Sequence, residues 1–292
     1  MKSFYFSLKY FFDLYFDRKM FIVLVLGFSG GLPLLLYSST LAYWMSQEGI
    51  QLQTIGLFSL VAFPASFKFV WAPLIDRLPL PYITKRMGQR RGWLLVFQLL
   101  SSLCIYGMSL CGPRQGHMVW LAVLSIVLAF AAANQNTLIL TYQVEGFDRK
   151  VYGASEAICV FGYRMGLLAA GALAFYLSVS WSWSTIYQCM ALLSLVGCVA
   201  TFFMKESAHA IDSTQIEFEK IKSHTLQTKY PQWMTLLNWL HGAVICPFKV
   251  FMNHKGWLIS LVIILLYKVG DNMIGCMSNI FYKAQGYSPT DI

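Results

Sequence analysis

The chain is predicted to be an all-α polytopic helical bundle embedded in a membrane. Three observations support this. Hydrophobic residues make up 57% of its 292 positions, and charged residues only 12%, about half the share usual in soluble domains. Mean hydropathy is +0.57, and the apolar residues gather in runs long enough to cross a bilayer. The charges recur in the short segments between those runs, with a net charge of +9. Basic residues so placed act as topology determinants and contacts for anionic lipid headgroups, and they exclude a nucleic-acid partner.

The first nineteen residues hold many Phe and Tyr, but Asp13 and Asp17 interrupt any apolar core. They are predicted as a cytoplasmic interfacial helix rather than a cleaved signal. Seven spans follow, at 20–44, 55–74, 93–111, 118–141, 155–179, 186–204 and 257–280. Span 1 carries Gly27, Gly30, Gly31 and Pro33, and span 5 carries Gly162, Gly166 and Gly171. Small residues let helix backbones approach closely in lipid. Positions 205–256 form a long loop, in which the apolar stretch 233–252 is broken by Asn238, His241, Pro247 and Lys249. That stretch is predicted as a second interfacial helix. The expected organisation is thus an interfacial segment (1–19), a six-span half (20–204), a central cytoplasmic loop (205–256) and the start of a second half (257–292).

Charge sets direction. Lys2, Lys9, Arg18 and Lys19 precede span 1, and Arg77, Lys85, Arg86, Arg90 and Arg91 follow span 2. Arg149 and Lys150 follow span 4, and six lysines lie between spans 6 and 7. The alternate loops hold only Glu48, only Arg114, and no charge. The positive-inside rule places the N-terminus in the cytoplasm.

A charge inside a span is costly and marks a cavity or a partner. Lys68 in span 2, Arg164 in span 5 and Lys268 with Asp271 in span 7 qualify. The last two stand three residues apart and share a helix face. Asp76 and Arg77 close span 2, where they can form a cytoplasmic latch with Arg90 and Arg91. Span 4 contains the polar run Asn134, Gln135, Asn136 and Thr137, suited to hydrogen bonds between helices or to a polar solute. Tyr37, Tyr43, Trp44, Trp71 and Tyr163 offer rings for stacking. Glu156 opens span 5 and reads as an acid favoured by the helix dipole. The seven cysteines are spread without metal-site spacing and read as small packing residues. No cofactor or metal is expected, and no nucleophile elbow, phosphate loop or HExxH motif supports an enzyme.

Five ungapped stretches then carry a resemblance. LGFSGGLPLLLYSSTLAYWM (26–45), TIGLFSLVAFPASFKFVWAPLIDR (54–77), RRGWLL (90–95), FGYRMGLL (161–168) and LLYKVGD (265–271) closely resemble the AmpG-type muropeptide permeases of the major facilitator superfamily. The resemblance covers essentially the whole chain. It implies a multi-pass protein of the bacterial inner membrane that imports N-acetylglucosamine–anhydro-N-acetylmuramic acid and its peptides, driven by protons, for cell-wall recycling. Carried over by position, Lys68, Trp71, Pro73, Asp76 and Arg77 match the span-2 signature. Gly162, Tyr163, Arg164 and Gly166 match span 5, and Tyr267, Lys268, Gly270 and Asp271 match span 7. The substrate and ion pathway implied is Lys68, Gln135, Asn136, Tyr163, Arg164, Lys268 and Asp271.

Two departures matter. The family's span 4 reads Q-D-x-x-x-D-A-W-x-x-D, whereas this chain has Asn136 and Leu140 at the first two acids and keeps only Glu145. Neither an amide nor a leucine takes up and releases a proton. The chain also ends soon after span 7, so the sequence reads as a six-helix half plus one span. A separate polypeptide supplying the remaining spans is the expected partner. Two alternatives stay open: a non-transporting remnant, and a transporter of the same fold for another solute, such as a peptide or an acyl-CoA-like anion.

Overall fold

The computed structural model describes residues 15, 17–62, 75, 80, 83–113, 116–204, 252, 253, 256–259, 262 and 263. The chain divides into two compact units, Met1–Gln227 and Thr228–Ile292. The described residues of the second unit are few, and helical at 252, 257–259 and 262–263.

In the first unit every regular element among the described residues is helical. We number α1 (Arg18–Gln47), α2 (Leu52–Phe58), α3 (Ile83–Met87), α4 (Gln89–Cys111), α5 (Met118–Gly146), α6 (Arg149–Leu177) and α7 (Trp183–Phe203). Among the described residues, α1, α4, α5, α6 and α7 are long and apolar enough to cross a membrane. They coincide with predicted spans 1, 3, 4, 5 and 6. Predicted spans 2 and 7 lie largely outside the described residues.

The helix ends follow from local chemistry. Gly88 and Gly112 bracket α4 at φ +87° and +57°, conformations that a residue with a Cβ rarely adopts. Pro113 follows and stops the helix. The Ser182 hydroxyl accepts from the Thr185 N–H at 3.3 Å, capping α7. Only Phe147 and Asp148 separate α5 from α6, so these two helices return beside each other.

The faces are sorted for lipid rather than water. Leu99, Leu103, Tyr106 and Leu110 form an exposed apolar stripe on α4, and Leu192, Val196, Val199 and Phe203 form one on α7. Polar residues occupy the interior instead. One apolar cluster includes Leu36, Leu41, Trp44, Met108, Leu128 and Tyr187. A second, nearer the basic loops, includes Val23, Leu26, Leu94, Phe97, Leu138 and Met204. On α1, α4, α5 and α7 the residues between the two clusters are polar and buried: Ser29; Gln98, Ser101 and Ser102; Gln135; Ser194. Backbone amides in lipid are satisfied within each helix, so this layer is built from side chains.

Helix α1 is the most buried of the five, and its largest interface is with α6. Glycines explain it. A Cβ at Gly27 or Gly31 would collide with the carbonyl oxygens of Cys159 or Tyr163, and one at Gly162 or Gly166 with those of Leu24 or Phe28. Each helix thus sets two glycines four residues apart against the other's backbone, the small-xxx-small packing that membranes favour.

Gly162→Ala should therefore lower the stability of the bundle by about 1–3 kcal/mol, the usual cost of overpacking. Gly153→Ala, on the same helix with open space around it, should leave stability unchanged or raise it slightly. Thermal denaturation in detergent checks both.

Candidate functional site

The sequence-predicted polar run sits on α5 against the glycines of α1. Gln135 is fully buried, and its Nε2 donates to Ser29 Oγ at 3.0 Å. Ser29 Oγ in turn reaches the Ser194 carbonyl at 3.4 Å. Asn136 is half-buried, and its Nδ2 donates to the Gly30 carbonyl at 3.3 Å. Asn134 turns its amide back to the Phe130 carbonyl of its own helix at 2.8 Å. Gln135 therefore belongs to the packed layer, and Asn136 stands at its edge.

Tyr163 and Arg164 lie on α6. The backbone of Tyr163 meets Gly31, so Asn136 and Tyr163 flank the Gly30–Gly31 pair from α5 and α6. Arg164 is exposed in the middle of the 29-residue α6, beside exposed Phe161, Met165 and Leu168. From there either helix end is about 20 Å away at 1.5 Å per residue. The hydrocarbon core is about 30 Å thick, so a residue at mid-depth stands about 15 Å from either interface, still beyond the reach of an arginine side chain, and snorkelling does not explain it.

One turn beyond Arg164 the helix widens into a π turn at Ala169–Leu173. Its Ala170 carbonyl accepts from Thr40 Oγ1 at 2.8 Å. Thr40 follows the break in α1 at Ser38, whose φ and ψ of −116° and −105° leave the helical region. Both helices are irregular at the same level, and a π turn inside an α-helix commonly accompanies a functional site.

Arg90 and Arg91 tie the basic-loop ends together within this unit. Arg90 pairs with Glu145 of α5 at 2.9 Å. Arg91 donates to the terminal carbonyls of α7, at 3.3 Å to Thr201 and 2.8 Å to Phe202, groups that a helix end leaves without intrahelical donors. Lys68, Trp71, Asp76, Arg77, Lys268 and Asp271 lie outside the described residues.

The candidate rings divide. Trp44 is only 2% exposed and packs on Tyr187 at 4.9 Å and Trp183 at 6.3 Å. Its faces are occupied. Tyr37 is buried as well, while Tyr43 stands edge-on to Phe175 at 4.8 Å. At this charge-poor end a cavity of about 300 Å³ opens among Trp44, Gln47, Glu48, Trp181 and Trp183. Cys104, Cys111, Cys159, Cys189 and Cys198 are free thiols, and no cluster of metal ligands occurs among the described residues.

Sequence reasoning passed over Gln98 and Thr201. The Thr201 hydroxyl donates to Gln98 Oε1 at 2.8 Å, and Ser102 donates to the Ala191 carbonyl at 2.8 Å. The spacing Gln98, Ser101, Ser102 inside an apolar span was the available signal, since these positions share a helix face. Glu156 needs a correction. Helix α6 begins at Arg149, two turns before it, and carries no acid in its first turn. The dipole at the helix end acts within about one turn, so it does not account for Glu156.

Comparison with known proteins agrees with this architecture. Residues 19–175 match the family model described as "Acetyl-coenzyme A transporter 1". The chain is 36% identical over 262 residues to the anhydromuropeptide permease of Escherichia coli (strain K12), covering 89% of this chain and 48% of that protein. It is 32% identical over 275 residues to the putative transporter AmpG 2 of Rickettsia felis, covering 94% of this chain and 60% of that one. The chain thus spans about half the length of the curated relatives it matches. The chain belongs to the membrane-transporter family that this model describes, and along most of its length it is similar to AmpG-type permeases.

Proposed function

We propose that this chain forms the first half of a secondary transporter that carries anhydromuropeptides from periplasm to cytoplasm. What supports this reading most is the 36% identity to an anhydromuropeptide permease along 89% of the chain. In this reading the N-terminus and basic loops face the cytoplasm, the membrane is the bacterial inner membrane, and transport is proton-driven. The remaining spans of the two-half fold come from further sequence, on the same or a separate polypeptide.

Transporters of two repeats bind solute near the midplane between the halves. Arg164 stands at that depth on an open face, and Asn136 and Tyr163 border the thin, glycine-lined stretch of α1 beside it. Lys68, Lys268 and Asp271 complete the pathway, with Gln135 as its packed support. Asp76 and Arg77 join Arg90 and Arg91 at the cytoplasmic gate. A guanidinium attracts the carboxylates of a muramyl peptide and gives them two parallel hydrogen bonds.

A second reading takes a coenzyme A thioester as the solute. The description of the matching family model favours it, and so does a span 4 with amide and leucine in place of two acids. Arg164 serves either anion.

The genomic locus carrying this chain, expressed in a strain without its own anhydromuropeptide permease, should restore uptake of labelled anhydromuropeptide. A protonophore should abolish that uptake. Uptake of labelled acetyl-coenzyme A in its place would establish the second reading, and uptake of neither would identify a non-transporting remnant. Arg164→Ala should reduce uptake about tenfold or more, the loss of a charge-assisted contact, with membrane insertion unchanged. Full uptake by that variant would remove Arg164 from the pathway.

A further inference from the structure

The buried polar layer gathers more hydrogen-bonding groups around Ser29 than it joins. Gln135 Nε2 donates to Ser29 Oγ at 3.0 Å, and Oε1 of the same fully buried amide has no partner. From α4, Gln98 is only 1% exposed. Its Oε1 accepts from Thr201, and its Nε2 has no partner. That nitrogen belongs to the same place. A Cβ at Gly197 of α7 would collide with Ser29 Oγ and stand 3.0 Å from Gln98 Nε2, so both atoms border one point on α7.

A backbone group joins them. Helix α7 is interrupted at Leu195. There the Cys198 N–H turns to the Leu195 carbonyl at 2.9 Å, one residue short of the α-helical bond to Ser194. The Ser194 carbonyl is met by Ser29 Oγ at 3.4 Å, long for a hydroxyl donor, whose usual range is about 2.5–3.0 Å. An unpartnered donor, an unpartnered acceptor and a poorly met carbonyl thus surround a single hydroxyl inside the bundle. Leaving such groups bare in an apolar interior is costly.

We propose that this place is a binding site for one buried water, held between α1, α4, α5 and α7. The chemistry of the groups selects water. Gln98 Nε2 offers a proton, while Gln135 Oε1 and the Ser194 carbonyl each need one. A water accepts the first and donates the other two, within the two to four partners that buried waters have. A cation would face the Gln98 donor, and an anion the two acceptors. Ser29, Gln98, Gln135 and Ser194 are all neutral, so neither ion finds a charge to offset its own. The water ties four helices together through groups that need not touch, and it lets them exchange partners as the helices shift. The site does not depend on the transport reading above.

Water-edited solid-state NMR on the chain in phosphatidylcholine bilayers tests this. Magnetisation started on water should reach the side-chain NH2 of Gln98, a signal identified by its loss in Gln98→Met. It should not reach the backbone amide of Leu94, equally buried one turn away on α4. Ser29→Ala should cut the transfer to Gln98 at least twofold. Gln98→Met and Gln135→Met together should lower the melting temperature by less than the sum of the two single shifts, because either alone strands a group that the water served. A Gln98 NH2 as dry as the Leu94 amide would overturn the proposal. A signal that moves with added sodium chloride and receives nothing from water would give the place to a cation, and would also overturn it. Strictly additive shifts would separate Gln98 from Gln135 and overturn the shared site.

Discussion

The backbone contact between α1 and α6 constrains the rest of this structure. Gly27 and Gly31 receive the carbonyls of Cys159 and Tyr163, while Gly162 and Gly166 receive those of Leu24 and Phe28. Lipid offers no hydrophobic force to drive two apolar helices together, so close van der Waals packing has to hold them. Four missing side chains supply it. The same contact sets what can surround α1: α5 brings Asn136 against Gly30, and α7 brings Gly197 to where Ser29 and Gln98 need the room. The buried polar layer depends on that spacing, because its bonds at 2.8–3.4 Å leave little slack.

The proposed pathway relies on the same thinness. The glycine-lined stretch of α1 lets polar groups of α5 and α6 stand beside it at mid-depth, and it leaves Arg164 on the open side. Toward the charge-poor end, α1 and α6 both depart from regular geometry and are joined through Thr40 and Ala170. Toward the basic loops, Arg90 and Arg91 bind α4 to α5 and α7. The middle of the bundle thus lies between an irregular end and a cross-linked one. Small rearrangements are accommodated more readily where the helices already break their regular pattern.

Much of this was legible in the sequence. Hydropathy located α1, α4, α5, α6 and α7, because a transmembrane helix must be long and continuously apolar to be stable at all. Glycine in spans 1 and 5 signalled close packing, but the reciprocal pairing was not visible: it depends on which helix meets which. For the same reason Gln135 read equally as a helix-to-helix or a solute contact, and its burial and bond to Ser29 became visible only in the fold. Glu156 was misplaced because the span began at the first apolar residue, while the helix begins two turns earlier in polar sequence. Helix length is set by backbone hydrogen bonds, and hydropathy reports only the part in lipid. Thr201 escaped because a single polar residue in an apolar run carries no periodic signal until its partner helix is known, whereas Gln98 shared a face with Ser101 and Ser102 and lacked only a visible partner.

The dependence of the bundle on one backbone contact can be measured by a double-mutant cycle on Gly27→Ala and Gly162→Ala. If both substitutions force the same two helices apart, the second costs less once the first is in place. Their combined destabilisation should then fall short of the sum by about 0.5 kcal/mol or more. Additive losses, equal to the sum within about 0.3 kcal/mol, would mean that the two glycines act independently and would contradict the account.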